Sequence, residues 1–91
     1  MPDEKIRTQI WRSHIPDTIR LSEDVDFSAL AKQYSFAGGY IKNAVLNSLR
    51  RVTLRKQGIL TMDDLIFGAN MEKEGMFNKE NSKGVLGFAM Q

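Results

Sequence analysis

With 91 residues, 42% of them apolar and 26% charged, the chain has the composition of one small globular domain. That length leaves no room for an ordinary nucleotide-hydrolysing or dehydrogenase domain with its own sheet. The absence of cysteine and the single histidine exclude a disulfide framework and the usual zinc ligand sets, and a net charge of +2 is too near balance for wholesale binding to nucleic acid or membrane.

Pro2, Asp3 and Glu4 put a proline and two acids where a first helical turn accepts them, and Ile6, Ile10 and Trp11 follow at helical spacing. A first helix is expected from about Asp3 to His14. Met1 to Arg12 is charged throughout, without the apolar stretch of a signal peptide, and no apolar run approaches the roughly 20 residues that span a bilayer. With no cysteine to oxidise, a cytoplasmic chain that avoids the membrane is expected. Pro16 biases Ile15 away from helical dihedrals, so Pro16 to Asp24 reads as a connecting loop.

Asp26 suits an N-cap, and Phe27, Leu30, Ala31 and Tyr34 recur at offsets of three and four, which predicts a short helix over Phe27 to Tyr34. Ser35 to Gly39 breaks it. From Tyr40, the stripe Ile41, Ala44, Val45, Ser48, Leu49 and Val52 predicts a third, longest helix ending near Gln57, with Gly58 as a left-handed stop. Lys42, Arg50, Arg51, Arg55 and Lys56 lie along this segment with no acid among them, whereas Asp17 to Asp26 holds four acids and one Arg. A dipolar surface follows.

Ile59 and Leu60 form a short extended link into Thr61-Met62-Asp63-Asp64, where Thr61 can cap and Asp64 can answer it, a near capping box. The fourth helix carries Met62, Leu65, Ile66 and Ala69 and is expected to stop at Gly75. Asn78 to Gly84 lacks apolar periodicity. The reading is thus all-α, a small bundle of about four helices over residues 1–76, with a flexible or weakly docked tail over residues 77–91.

The order of these parts resembles the C-terminal helical lid of AAA+ ATPases. The resemblance rests on Arg7, Ile10 and His14, on Asp24-Val25-Asp26-Phe27-Ser28-Ala29-Leu30-Ala31, on the run Tyr34 to Ala44 around Gly38-Gly39, and on Ile59-Leu60-Thr61-Met62-Asp63-Asp64-Leu65. It covers about Pro2 to Glu74. It implies a lid that closes over ATP or ADP, with Mg²⁺ and the phosphates held by an absent α/β phosphate-loop domain of the parent chain. It also implies neighbouring subunits of a homo-oligomeric ring to which the lid transmits nucleotide state. The sequence has no Gly-x-x-x-x-Gly-Lys-(Ser/Thr) loop and no apolar strand ending in an Asp-Glu pair, so this segment alone is not expected to be an enzyme, whereas a parent chain of this class hydrolyses ATP.

Gly38 and Gly39 would let backbone approach a ligand at the positive end of a helix dipole. An ordinary loop-to-helix turn accounts for them as simply, and only the resemblance places the turn against adenine and ribose. The same holds for Ile10, Ser13 and His14, which the lid resemblance sets beside the base or sugar, although a lone helical His is commonly a surface residue with a local hydrogen bond. Tyr40 and Lys42 compete for the sensor-2 position of the family. A Tyr carries no charge, and Lys42 lies about 200° around the helix from it, so no working sensor 2 is expected. The rival reading is a free-standing helical adaptor or DNA-binding module that uses the basic third helix. The lack of interleaved aromatics argues against nucleic acid.

Overall fold

The structure is a computed structural model that describes residues 3–56 and 58–89, with side chains through residue 76. Among the described residues the elements run α1 (Glu4–Ser13), β1 (Arg20–Leu21), α2 (Phe27–Gln33), α3 (Gly38–Arg55), β2 (Ile59–Leu60) and α4 (Met62–Ala89). The class is all-α with four helices, as expected, and one two-stranded parallel sheet ties the loops between them.

Three helices begin where a local side chain satisfies an orphan backbone donor. Asp3 Oδ1 accepts from Ile6 N–H at 2.9 Å to open α1, and Asp26 Oδ1 accepts from Ala29 N–H at 3.1 Å to open α2. At α4, Asp64 N–H donates to Thr61 Oγ1 at 3.1 Å while Thr61 N–H donates to Asp64 Oδ2 at 3.0 Å, which completes the capping box. α3 differs: its N-cap is Ala37, and no side chain caps it.

Four boundaries depart from expectation. α3 starts at Gly38 rather than Tyr40, so both glycines lie inside its first turn. It ends at Arg55 with Lys56 in the left-handed region at φ 60°; Gly58 is also left-handed, at φ 71°, but there it turns the chain into β2. Gln57, the expected end of that helix, lies outside the described residues. The Pro16 to Asp24 loop contains β1, whose Arg20 and Leu21 register with Ile59 and Leu60. Arg20 N–H donates to Gly58 O at 3.2 Å and Ser22 N–H to Leu60 O at 2.9 Å. Finally, α4 does not stop at Gly75 but continues through Ala89, across most of the expected tail. Gly75 does not adopt the left-handed φ that ends a helix, and a glycine in ordinary helical backbone costs about 1 kcal/mol without terminating it. Residues 90 and 91, and the side chains of 77–89, lie outside the described set.

The core gathers one face of every helix: Trp11 from α1, Phe27, Leu30 and Ala31 from α2, Ile41, Ala44, Val45 and Val52 from α3, Leu60 from β2, and Leu65 and Ala69 from α4. Each fully buried large side chain contributes roughly 1.5–3 kcal/mol. Trp11 is completely buried, and its Nε1–H finds no acceptor among the described residues. That orphan costs about 1–3 kcal/mol against the burial of the ring.

α3 and α4 form the most extensive helix pair. They approach so closely because Gly68 has no side chain: a Cβ there would press on the Ala44 carbonyl oxygen and Ser48 Oγ and lie 2.9 Å from Ser48 N. Ser48 is fully buried, and its hydroxyl donates to Ala44 O at 2.8 Å, so the polar group at the crossing is satisfied. No helix among the described residues is long and apolar enough to cross a membrane.

Candidate functional site

α1 ends against the start of α3. Gly38 faces Ile10 closely enough that a Cβ added to the glycine would touch Ile10 Cδ1 at 4.0 Å. Ile10 and Gly38 are half-buried, whereas Gly39 beside them is exposed, and a Cβ at Gly39 would meet nothing within 4 Å. Tyr40 N–H and Ile41 N–H return to Ala37 O at 3.0 and 3.1 Å. The amides of Gly38 and Gly39 precede this first internal bond, with no capping side chain and no acid in the first turn. The result is the positive end of an 18-residue helix flanked by an aliphatic side chain.

The neighbouring expected residues divide. Ser13 is exposed, and its hydroxyl donates back to Ile10 O at 2.8 Å, which leaves its oxygen able to accept from a further donor. His14 is half-buried as the C-cap of α1, its backbone N–H donating to Trp11 O at 3.3 Å. Tyr40 is half-buried at the end of an aromatic row: its ring centroid lies 6.3 Å from that of Phe36, which lies 5.3 Å from that of Tyr34. The Tyr34 hydroxyl donates to Asn70 Oδ1 at 2.7 Å, and burial raises its pKa above the ordinary value. Lys42 is exposed, off the buried face of α3. The structure therefore brings together Ile10, Gly38 and Gly39, and it packs Tyr40 into a core row away from Lys42.

Arg7, part of the motif in the first helix, donates from Nε to Ala31 O at 2.9 Å and so fastens α1 to α2. It holds the element that presents Ile10. Asp24, in the acidic loop, accepts from the Ser22 hydroxyl and from Met62 N–H at 3.3 Å, and these bonds, the one from Ser22 foremost, hold its pKa below the ordinary carboxylate value. The Asp24-Val25-Asp26 run therefore acts on both sides, steadying α4 with one acid and capping α2 with the other.

The principal electrostatic feature, an ion cluster at the far end of α3, escaped the sequence reading. Asp64 is 1% exposed, and Arg55 grips both its oxygens at 2.6 Å from Nη1 and Nη2, while Arg51 Nε lies 3.4 Å from Oδ1. Arg55 Nη2 also donates to Ile59 O at 3.0 Å. The bond from Arg55 is the main reason that the Asp64 pKa falls from 3.8 to about 2. Arg51 lies 3.7 Å from Asp63 as well, and its guanidinium sits 4.4 Å from the centre of the Phe67 ring. Two of the five cations in the basic stretch are thereby committed within the fold. The spacing of Arg51, Arg55 and Asp64 around an intervening turn could have suggested this; Gly68 carried no such signal, because an isolated helical glycine does not reveal what crosses it.

Among the described residues no group of three His, Cys, Asp or Glu side chains could hold a metal ion. In comparisons with known proteins, no family model and no curated protein matches the chain.

Proposed function

We propose that this chain is the helical lid of an AAA+ type ATPase, closing over an adenine nucleotide whose phosphates and Mg²⁺ are held by a separate α/β domain. The observation that supports this reading best is Gly39. Its φ is not left-handed, no neighbour would obstruct a side chain there, and a glycine in a helix costs up to about 1 kcal/mol relative to alanine. No contact among the described residues requires a glycine here, and the open space leaves its backbone accessible to a ligand from outside. Beside it, the half-buried Ile10 offers an aliphatic surface to a planar base, and the amides of Gly38 and Gly39 offer donors to its polar edge or to the ribose.

The lid acts mechanically in this reading. Nucleotide contact at α1 and the α3 N-terminus biases the orientation of a rigid bundle, and that rotation carries the nucleotide state to the next subunit of a homo-oligomeric ring. The chain by itself hydrolyses nothing, because the phosphate-binding and water-activating parts belong to the other domain. The DNA-binding rival is weakened by the pairing of Arg51 and Arg55 with Asp64, which leaves fewer free cations for phosphate contacts.

Titration of the ¹⁵N-labelled chain with ADP tests the proposal. Amide shifts confined to Ile10, Ser13, His14, Gly38 and Gly39, with a Kd on the order of millimolar, are expected. Shifts centred elsewhere, no shifts at all, or tighter salt-sensitive binding to duplex DNA would overturn it.

A further inference from the structure

α3 buries Ile41, Ala44, Val45, Ser48 and Val52. At about 100° per residue, its opposite face is centred on Leu46, Arg50, Thr53 and Leu54. That face should be polar in a helix with one packed side. Instead Leu54 is 81% exposed and Leu46 46% exposed, and together with Leu49, Arg50 and Thr53 they line a shallow groove of about 450 Å³. Among the described residues neither Leu46 nor Leu54 belongs to the core or packs against it. Lys42 lies one turn before Leu46 on the same stripe, Arg50 stands between the two exposed leucines, and α3 contributes no acid anywhere along its length. Arg51 and Arg55, the cations used by Asp64, lie off this stripe.

We infer that the outer face of α3 is a docking groove for an acidic amphipathic helix of a partner protein. Two leucines two turns apart form the apolar floor that such a helix fills with its own i, i+4 side chains, and Lys42 and Arg50 pair with carboxylates flanking them. A second copy of this chain fits less well, because α3 offers Lys42 and Arg50 on this face and no acid along its length, so two such faces would oppose like charges. An anionic membrane offers the charge but not the ridge that a groove between side chains accepts. The inference stands independently of the nucleotide-facing role of Gly38 and Gly39, which lie at the N-terminus of the helix.

A displayed library of amphipathic helices, with apolar positions fixed as Leu and flanking positions randomised over Glu, Lys, Gln and Ser, is selected against the purified chain. The expected outcome is enrichment of Glu at the flanks, with binding of the selected peptide weakened about tenfold or more by Leu54→Asp and by Arg50→Glu. A Lys-flanked peptide should then prefer the Arg50→Glu variant. Both positions are exposed, and unchanged circular dichroism and an unchanged thermal unfolding midpoint confirm that each variant keeps its fold. Enrichment of Lys, no enrichment, or binding indifferent to both substitutions overturns the inference. So does a dimer in sedimentation that Leu54→Asp dissolves, or binding to phosphatidylserine vesicles that exceeds binding to the peptide.

Discussion

Replacing Asp64 by Asn removes the charge on which the α3–α4 junction closes while keeping the shape of the side chain. In the folded chain its carboxylate receives both Arg55 nitrogens and the Thr61 amide, and its pKa falls from 3.8 to about 2. At about 1.4 kcal/mol per unit, that difference corresponds to roughly 2 kcal/mol of stability. Arg55 is one-third exposed, so solvent screening reduces the contribution to about 1–2 kcal/mol. Because the folded pKa lies below the unfolded value, this stability is fully present above about pH 4 and is lost as the pH falls through about 2. Urea unfolding of wild type and Asp64→Asn should therefore differ by about 1–2 kcal/mol at neutral pH, with the gap shrinking as the pH falls below 4 and most of it gone by about pH 2. A gap that stays constant across that range, or one below about 0.5 kcal/mol at neutral pH, would refute the assignment of the stabilisation to the charged carboxylate.

Gly68→Ala should lower stability by about 1–2 kcal/mol in the same assay, since strain against the Ala44 carbonyl and Ser48 outweighs the gain in helix propensity; an unchanged or raised unfolding midpoint would contradict the close crossing. Lys56→Gly should stabilise by about 0.5–1 kcal/mol, because a non-glycine residue at φ 60° is strained and glycine is not, and thermal unfolding reads the sign directly. Gly39→Val should leave the unfolding free energy of this chain within about 0.5 kcal/mol of wild type while abolishing the ADP-induced shifts at Gly38 and Gly39. Retained shifts would remove the nucleotide-facing role of the turn.

Four helices were legible because their signals are local. Asp26 caps a donor three residues ahead, Thr61 and Asp64 answer each other within one turn, and the stripe from Ile41 to Val52 repeats at the helical period, so each can be read from neighbours along the chain. The adjacency of Ile10 and Gly38 was expected only through the family resemblance, because it depends on how α1 is laid across α3. The same limit hid β1, whose two residues gain their strand geometry from Ile59 and Leu60 far along the chain, and it hid the bond from Met62 N–H to Asp24, 38 residues apart. Composition showed a run of cations without acids, but only the packing of α4 against α3 brought buried Asp64 to Arg55 and Arg51 and left Arg50 and Lys42 facing out. Local sequence thus set where α1, α2 and α4 start and which face the helices bury, whereas the uncapped start of α3 lies two residues before the expected one. Tertiary contact decided which charges are neutralised, which glycine makes room for a neighbour and which leaves its backbone open, because each of these depends on residues brought together by the fold rather than by chain order.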